Sequence, residues 1–272
     1  MDMQPKLIFL GTGGDSIVVG KQIRSAGGII LQVEGNQFHI DPGPGSVTRA
    51  KDYGINLRNN VAVLITHNHL NHACGINAVI NSMTLGGLDK KGVLVANRTA
   101  IEGCEENEPY LNKHHKEMIE RNIIIEPGKR VGINEVEIWA TRAHHSDPHA
   151  VGFKFMTPKF VLGYTGDTGY SNSLLEDFKS SDILILNCVN PSDKKDTNHL
   201  DINDVLKLLP EIKPKLAIIT HFGVKMEELD VLHQARDIQR ETKVQTIAAK
   251  DGMVINPVSY SVSLRQKTLK LF

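Results

Sequence analysis

Three histidines, His67, His69 and His72, crowd into the stretch Thr66-His67-Asn68-His69-Leu70-Asn71-His72, directly after the apolar run Val61-Ala62-Val63-Leu64-Ile65. A neutral imidazole offers a lone pair to a divalent ion, and such a site gathers its donors within about 2.0–2.3 Å of the metal. Where the chain leaves a buried strand, alternation sends His67 and His69 to one side, and His72 comes from the start of the next helix. The spacing points to metal ligation. The plain alternative is surface or core histidine, in a chain that has 12 of them.

Other residues suited to metal chemistry recur further along. Ile40-Asp41-Pro42-Gly43-Pro44-Gly45 sets a carboxylate in a turn, and His144-His145-Ser146-Asp147-Pro148-His149 offers three imidazoles ahead of Gly152-Phe153. Tyr164-Thr165-Gly166-Asp167-Thr168-Gly169 supplies a second carboxylate, and His199 and His221 follow in Asn198-His199-Leu200-Asp201 and Ile219-Thr220-His221-Phe222-Gly223. Each also has a plain reading: a turn signal at Asp41, an Asx-turn at Asp167, a polar residue flanking a helix at His199. The three cysteines, Cys74, Cys104 and Cys188, are odd in number and widely spaced. They imply neither a disulfide framework nor a Cys-rich zinc site, and read as reduced thiols, with Cys74 as a small buried apolar residue.

Taken in order, and with Leu10-Gly11-Thr12-Gly13-Gly14 closing the first strand, these motifs resemble those of the metallo-β-lactamase superfamily over nearly the whole chain. One position departs: Asn71 stands where the family carries Asp. The resemblance implies an α/β protein of four-layer αββα sandwich form, with its site in the cleft along the sheet edges. By matching motifs, His67, His69 and His145 hold a first ion, Asn71, His72 and His221 a second, and Asp167 bridges the two. Among His144, His145 and His149, the spacing to Gly152-Phe153 best fits the family pattern for His145. Asp41 is expected to orient a ligand histidine without touching metal. The implied cofactor is Zn2+, as one or two ions, with iron or manganese tolerated by the same donors. Two ions sharing Asp167 would depress the pKa of a shared water toward about 7. An amide oxygen at Asn71 donates more weakly than a carboxylate and cannot act as a base, so the second ion is expected to bind less tightly.

Within the superfamily the chain looks most like the phosphodiesterase branch, which includes ribonuclease Z and the phosphoribosyl cyclic phosphodiesterases. Gly11-Thr12-Gly13-Gly14 with Arg24-Ser25, His199 placed before a helix, and the closing Leu216 to Gly223 carry that likeness. It implies a catalytic set of His199, Asp167 and Asn71. Only a short stretch separates His145 from Asp167, too little for the tRNA-gripping arm of ribonuclease Z. The 31 basic and 31 acidic residues balance, so no basic field favours a long nucleic acid. The expected substrate is a small phosphodiester or a short nucleic acid. The alternatives are a lactonase or β-lactamase-like ester or amide hydrolase, and a catalytically impaired metal-binding relative. A homodimer is among the states the family leads one to expect.

These residues need rigid supports. Alternation predicts strands at 6–10, 28–33, 36–41, 61–65, 135–141, 150–156, 160–164, 182–187, 215–219, 244–248 and 253–256. Helical spacing predicts helices at 46–53, 73–83, 173–179, 201–209 and 227–240. The stretch 84–130 reads as a solvated surface segment with a charged helix near 109–121, or as a lid over the site. No linker or repeat divides the chain, so residues 1–272 are expected to form a single domain. The N-terminus lacks a basic region followed by an apolar one, and no apolar run reaches 18 residues, so a cytoplasmic protein without membrane spans is expected.

Overall fold

The structure is a computed structural model that describes residues 4–192 and 196–264. The first three residues of the N-terminal reading, and both ends of the expected domain, lie outside the described residues. Two mixed sheets dominate. The first runs in the order Val262–Leu264, Met253–Ile255, Lys6–Phe9, Ile29–Val33, Asn36–Ile40, Asn60–Ile65, Val93–Ala96, Arg121–Ile124. The second runs Thr246–Ala248, Leu216–Thr220, Ile183–Asn190, Val161–Tyr164, Val151–Met156, Val136–Arg142, Arg130–Ile133, and the short strand Leu200–Asp201 pairs with Ile183–Asn190.

Strand alternation builds the layers. Leu7, Phe9, Leu31, Phe38, Ile40, Ala62 and Leu64 of the first sheet face Phe153, Phe155, Leu162, Ile183, Ile185, Leu216 and Ile218 of the second, forming the central core. The intervening residues point the other way. Ile8, Ile30, Val63, Ile65 and Leu94 meet Ile76, Val79, Ile80 and Met83 of a flanking helix. Leu184, Leu186, Ala217 and Ile219 meet Val205, Leu208, Leu209 and Ile238 on the opposite side. Strands buried on both faces read as continuous apolar runs, as Val61 to Ile65 does. The result is the expected αββα sandwich.

The strands Asn36–Ile40, Asn60–Ile65, Val93–Ala96 and Arg121–Ile124 are mutually parallel, as are Val161–Tyr164, Ile183–Asn190, Leu216–Thr220 and Thr246–Ala248. Asp41, His67, Asp167 and His221 all lie just beyond the carboxyl ends of such strands. That is the end of an open α/β sheet where ligands bind.

Several elements differ from expectation. The helix predicted at 73–83 is two, Leu70–Ala73 and Ile76–Thr84. It breaks at Gly75, whose N–H donates to the Pro42 carbonyl at 2.8 Å, and where a Cβ would lie 2.6 Å from the carbonyl oxygens of Pro42 and Gly43. The stretch 84–130 is exposed at 85–90 and 105–108 but holds more regular structure than expected. Val93–Ala96 and Arg121–Ile124 complete the first sheet, Arg98–Glu102 is helical, and the charged helix shrinks to Lys113–Lys116. The helix predicted at 227–240 splits into Val224–Glu228 and Val231–Thr242, the second capped by Asp230. No helix among the described residues is long and apolar enough to cross a membrane.

His39 is fully buried on Asn36–Ile40, cross-strand from Ile30 and Val63. Its Nε2 lies 2.8 Å from the Gly27 carbonyl, while Nδ1 has no partner among the described residues. Burial lowers its pKa from 6.5 to about 4. The unfolded chain therefore takes up a proton that the folded chain refuses. This contribution is fully present above about pH 6.5 and is lost as pH falls toward 4, by roughly 3 kcal/mol in all. Denaturant midpoints measured across that window should fall more steeply for the native chain than for His39→Gln, which keeps a donor for Gly27. Parallel decline of the two proteins would exclude His39 as the acid-sensitive group.

Candidate metal centre

The two sheets bring eight predicted residues to one place. From the first come His67, His69, Asn71 and His72; from the second come His145, Asp167, His199 and His221. His67 Nε2 lies 3.8 Å from Asp167 Oδ2, His72 Nε2 lies 3.3 Å from the same oxygen, and His221 Nε2 lies 3.1 Å from Asp167 Oδ1. His69 Nδ1 and His145 Nε2 are 3.0 Å apart, and His72 Nε2 and His221 Nε2 are 3.3 Å apart. Tetrahedral donors at about 2.0–2.1 Å from zinc stand roughly 3.3 Å from one another. The spacing fits a divalent ion.

The hydrogen bonds fix which nitrogen faces inward. The Thr66 hydroxyl donates to Asp41 Oδ2 at 2.7 Å, so at 3.0 Å it can only accept from His67 Nδ1. His67 Nε2 is then left as a lone pair, fully buried and without a hydrogen-bond partner among the described residues. An orphaned acceptor of that kind costs free energy unless something cationic meets it. The Asn198 carbonyl accepts from His145 Nδ1 at 2.9 Å and turns its Nε2 inward, and Ser146 Oγ lies 3.3 Å from His69 Nε2, which leaves His69 Nδ1 for the site. His67, His69 and His145 thus converge as one three-nitrogen group.

Asp41 sits where the sequence predicted, behind the cluster. It accepts from Thr66 N at 2.7 Å, from the Tyr164 hydroxyl at 2.9 Å and from His72 Nδ1 at 2.9 Å. These bonds aim His72 Nε2 at Asp167. Asp41 itself has φ +49, a left-handed conformation that this dense set of bonds sustains.

Burial dominates the charges here. It lowers the pKa of His67 strongly, of His69 to about 4, and of His145 and His221. Neutral imidazole is the form that binds metal. Burial acts the same way on His72, but Asp167 and Asp41 outweigh it and hold the ring protonated up to about 10. Burial also opposes ionisation of Asp167, yet His221 and His72 keep its carboxylate well below the usual range.

His199 stands at the edge of the group. Its Nε2 is 3.6 Å from Asp167 Oδ2, and its Nδ1 is 3.0 Å from Asp196 Oδ2. Burial lowers its pKa, but Asp167 and Asp196 raise it further, so the net shift is upward. Its distances to His145 and Asp167 would also suit a metal donor. The pairing of Nδ1 with a carboxylate and the upward shift suit a proton carrier better. His144 and His149 lie elsewhere: the backbone of His144 is tied to Thr168 and Gly169, and His149 Nδ1 meets Thr99 Oγ1.

Sequence reasoning missed two supports. Asn187, buried on Ile183–Asn190, donates from Nδ2 to Asp167 Oδ1 at 2.7 Å. Asp147 accepts from Asn68 N, Asn97 Nδ2, Thr99 Oγ1 and His149 N, all within 3.0 Å. It thereby ties the His145 loop to the loop between His67 and His69. Its position two residues after His145 was the available signal; for Asn187 there was none.

Comparison with known proteins bears on this arrangement. A family model described as beta-lactamase superfamily domain matches residues 36–222. An uncharacterized protein of Methanocaldococcus jannaschii, MJ1374, is 31% identical over 255 residues, covering 93% of this chain and 95% of that protein. A ribonuclease Z of Methanopyrus kandleri is 30% identical over 159 residues, 58% of this chain and 53% of its own. Among solved structures, a diphosphatase from the PhnP family superposes with a TM-score of 0.70 at 18% identity, covering 93% of this chain and 97% of that one.

Proposed function

Because the chain belongs to the metallo-β-lactamase superfamily of metal-dependent hydrolases, we propose that it is a phosphodiesterase acting on a small phosphodiester or a short nucleic acid. The observation that carries this reading is His199, held by Asp196 beside Asp167. A divalent ion held by His67, His69 and His145, with Asp167 alongside, would supply positive charge and ease the deprotonation of water. The metal expected there is Zn2+, with iron or manganese as alternatives of the same chemistry.

The chain's own residues do the rest. Asn187 and His221 hold Asp167 Oδ1, which keeps Oδ2 turned toward His67, His72 and His199. Asp196 fixes the His199 ring, so that Nε2 can carry a proton toward the site. Cleavage of a phosphodiester puts negative charge on the departing oxygen, and a proton delivered there is general-acid catalysis. A cavity of about 700 Å³ lies beside Asp196, lined among others by His144, Tyr170, Thr197, Asn203 and Lys207. The likeness to a ribonuclease Z and to a PhnP-family diphosphatase supports phosphate chemistry over lactone or amide hydrolysis. We also read the chain as one domain, since both sheets contribute to one central core.

A substrate panel tests the reading. Purified protein should turn over bis(p-nitrophenyl) phosphate, lose that activity on chelation and regain it with zinc. Turnover of nitrocefin or a lactone without any diester turnover would replace this proposal with the ester or amide hydrolase.

A further inference from the structure

We propose that Asn71 is not a metal ligand but a clamped hydrogen-bond donor, and that it makes this centre a one-ion site. Where a second ion would sit among His72, His221 and Asp167, Asn71 presents the nitrogen of its amide. Nδ2 lies 3.1 Å from the Gly14 carbonyl and 3.3 Å from His221 Nε2. The carbonyl decides the orientation, because the reversed amide would set Oδ1 against it, acceptor to acceptor.

Neither partner can yield easily. The Gly14 N–H donates to the Phe222 carbonyl at 2.9 Å, and the Phe222 N–H donates to the Thr12 carbonyl at 2.9 Å. A Cβ at Gly14 would lie 2.1 Å from the His221 carbonyl oxygen, so this loop is pressed onto the strand end that carries His221. On the other side, a Cβ at Gly43 would lie 2.0 Å from the Asn71 carbonyl oxygen, so the Asn71 backbone is equally confined. The glycine-rich opening motif thus holds an acceptor against the amide. An N–H group carries partial positive charge toward the position and repels an ion, while an oxygen at that place in the substrate would accept from it.

This inference rests on the metal reading of the site but not on the phosphodiester substrate. Its test counts ions without substrate, so absence of diester turnover would fail the proposed function and leave this untouched. The full chain is stripped with chelator, titrated with zinc and followed by native mass spectrometry, calorimetry and thermal melting, alongside Asn71→Asp and Asn71→Ala.

The native chain should take one ion. Asn71→Ala should bind that ion no more weakly, since no ligand is removed. Asn71→Asp should take two, its affinity at the second position rising by more than the roughly 10–100-fold associated with residues outside a ligand set. Metal-free Asn71→Asp should also melt below the native chain, because its carboxylate faces the Gly14 carbonyl, and zinc should raise its melting temperature more. Two ions on the native chain, a loss of affinity in Asn71→Ala, or a single ion on Asn71→Asp would each overturn the assignment. Should Asn71→Asp fail to fold, the native count and Asn71→Ala still decide.

Discussion

His199→Ala is expected to keep its fold and its metal while losing about 10²–10⁴ in kcat on a phosphodiester with a poor leaving group. The ring is not needed to close the His67, His69 and His145 group, so ion content should stand. What disappears is the proton carried between Asp196 and the site. The loss should shrink on p-nitrophenyl esters, whose leaving group needs little protonation, and KM should move less than kcat. The comparison of two leaving groups separates proton delivery from structural damage, which would depress both substrates alike. Unchanged kcat on the poor leaving group would remove His199 from the mechanism.

His145→Ala should lose zinc far more severely than His144→Ala. His145 Nε2 lies 3.0 Å from His69 Nδ1, and its loss opens the three-nitrogen group it forms with His67 and His69. His144 contributes its backbone to bonds with Thr168 and Gly169, which alanine preserves, while its side chain lines the outer cavity. A residue adjacent to a ligand set is worth at most a factor of about 10–100 in metal affinity. Zinc competition against a chromogenic chelator measures both variants on one scale. The opposite order would shift the ligand assignment by one residue.

How much of this was legible depends on where each signal resides. Continuous apolar runs expose Val61 to Ile65, and Ile183 to Leu186, as strands, because both faces of each sheet are packed. Val93–Ala96 is a shorter run of the same kind, and the neighbouring Gly and charged residues made its region look irregular. The break at Gly75 has a tertiary cause, since its close neighbours are Pro42 and Gly43. The site shows the same division. Ligand-type residues announce themselves by chemistry and spacing, so the histidines assigned to the site from the sequence, His67, His69, His72, His145, His199 and His221, are found together. Asn187 is an ordinary strand residue until the fold sets it beside Asp167. The orientation of the Asn71 amide likewise depends on Gly14, 57 positions away.

The division of the donors between two sheets has a consequence for how the protein is made. His72 and His221 are separated by 149 residues of chain. At roughly 5–20 residues per second, translation leaves His69 waiting about 4–15 s for His145, 76 positions on, and His72 about 7–30 s for His221. A nascent chain therefore carries half a chelator. Capture of an ion completes only after the second sheet has docked, so the rate at which newly made protein acquires metal should follow the rate of folding, not that of ion encounter.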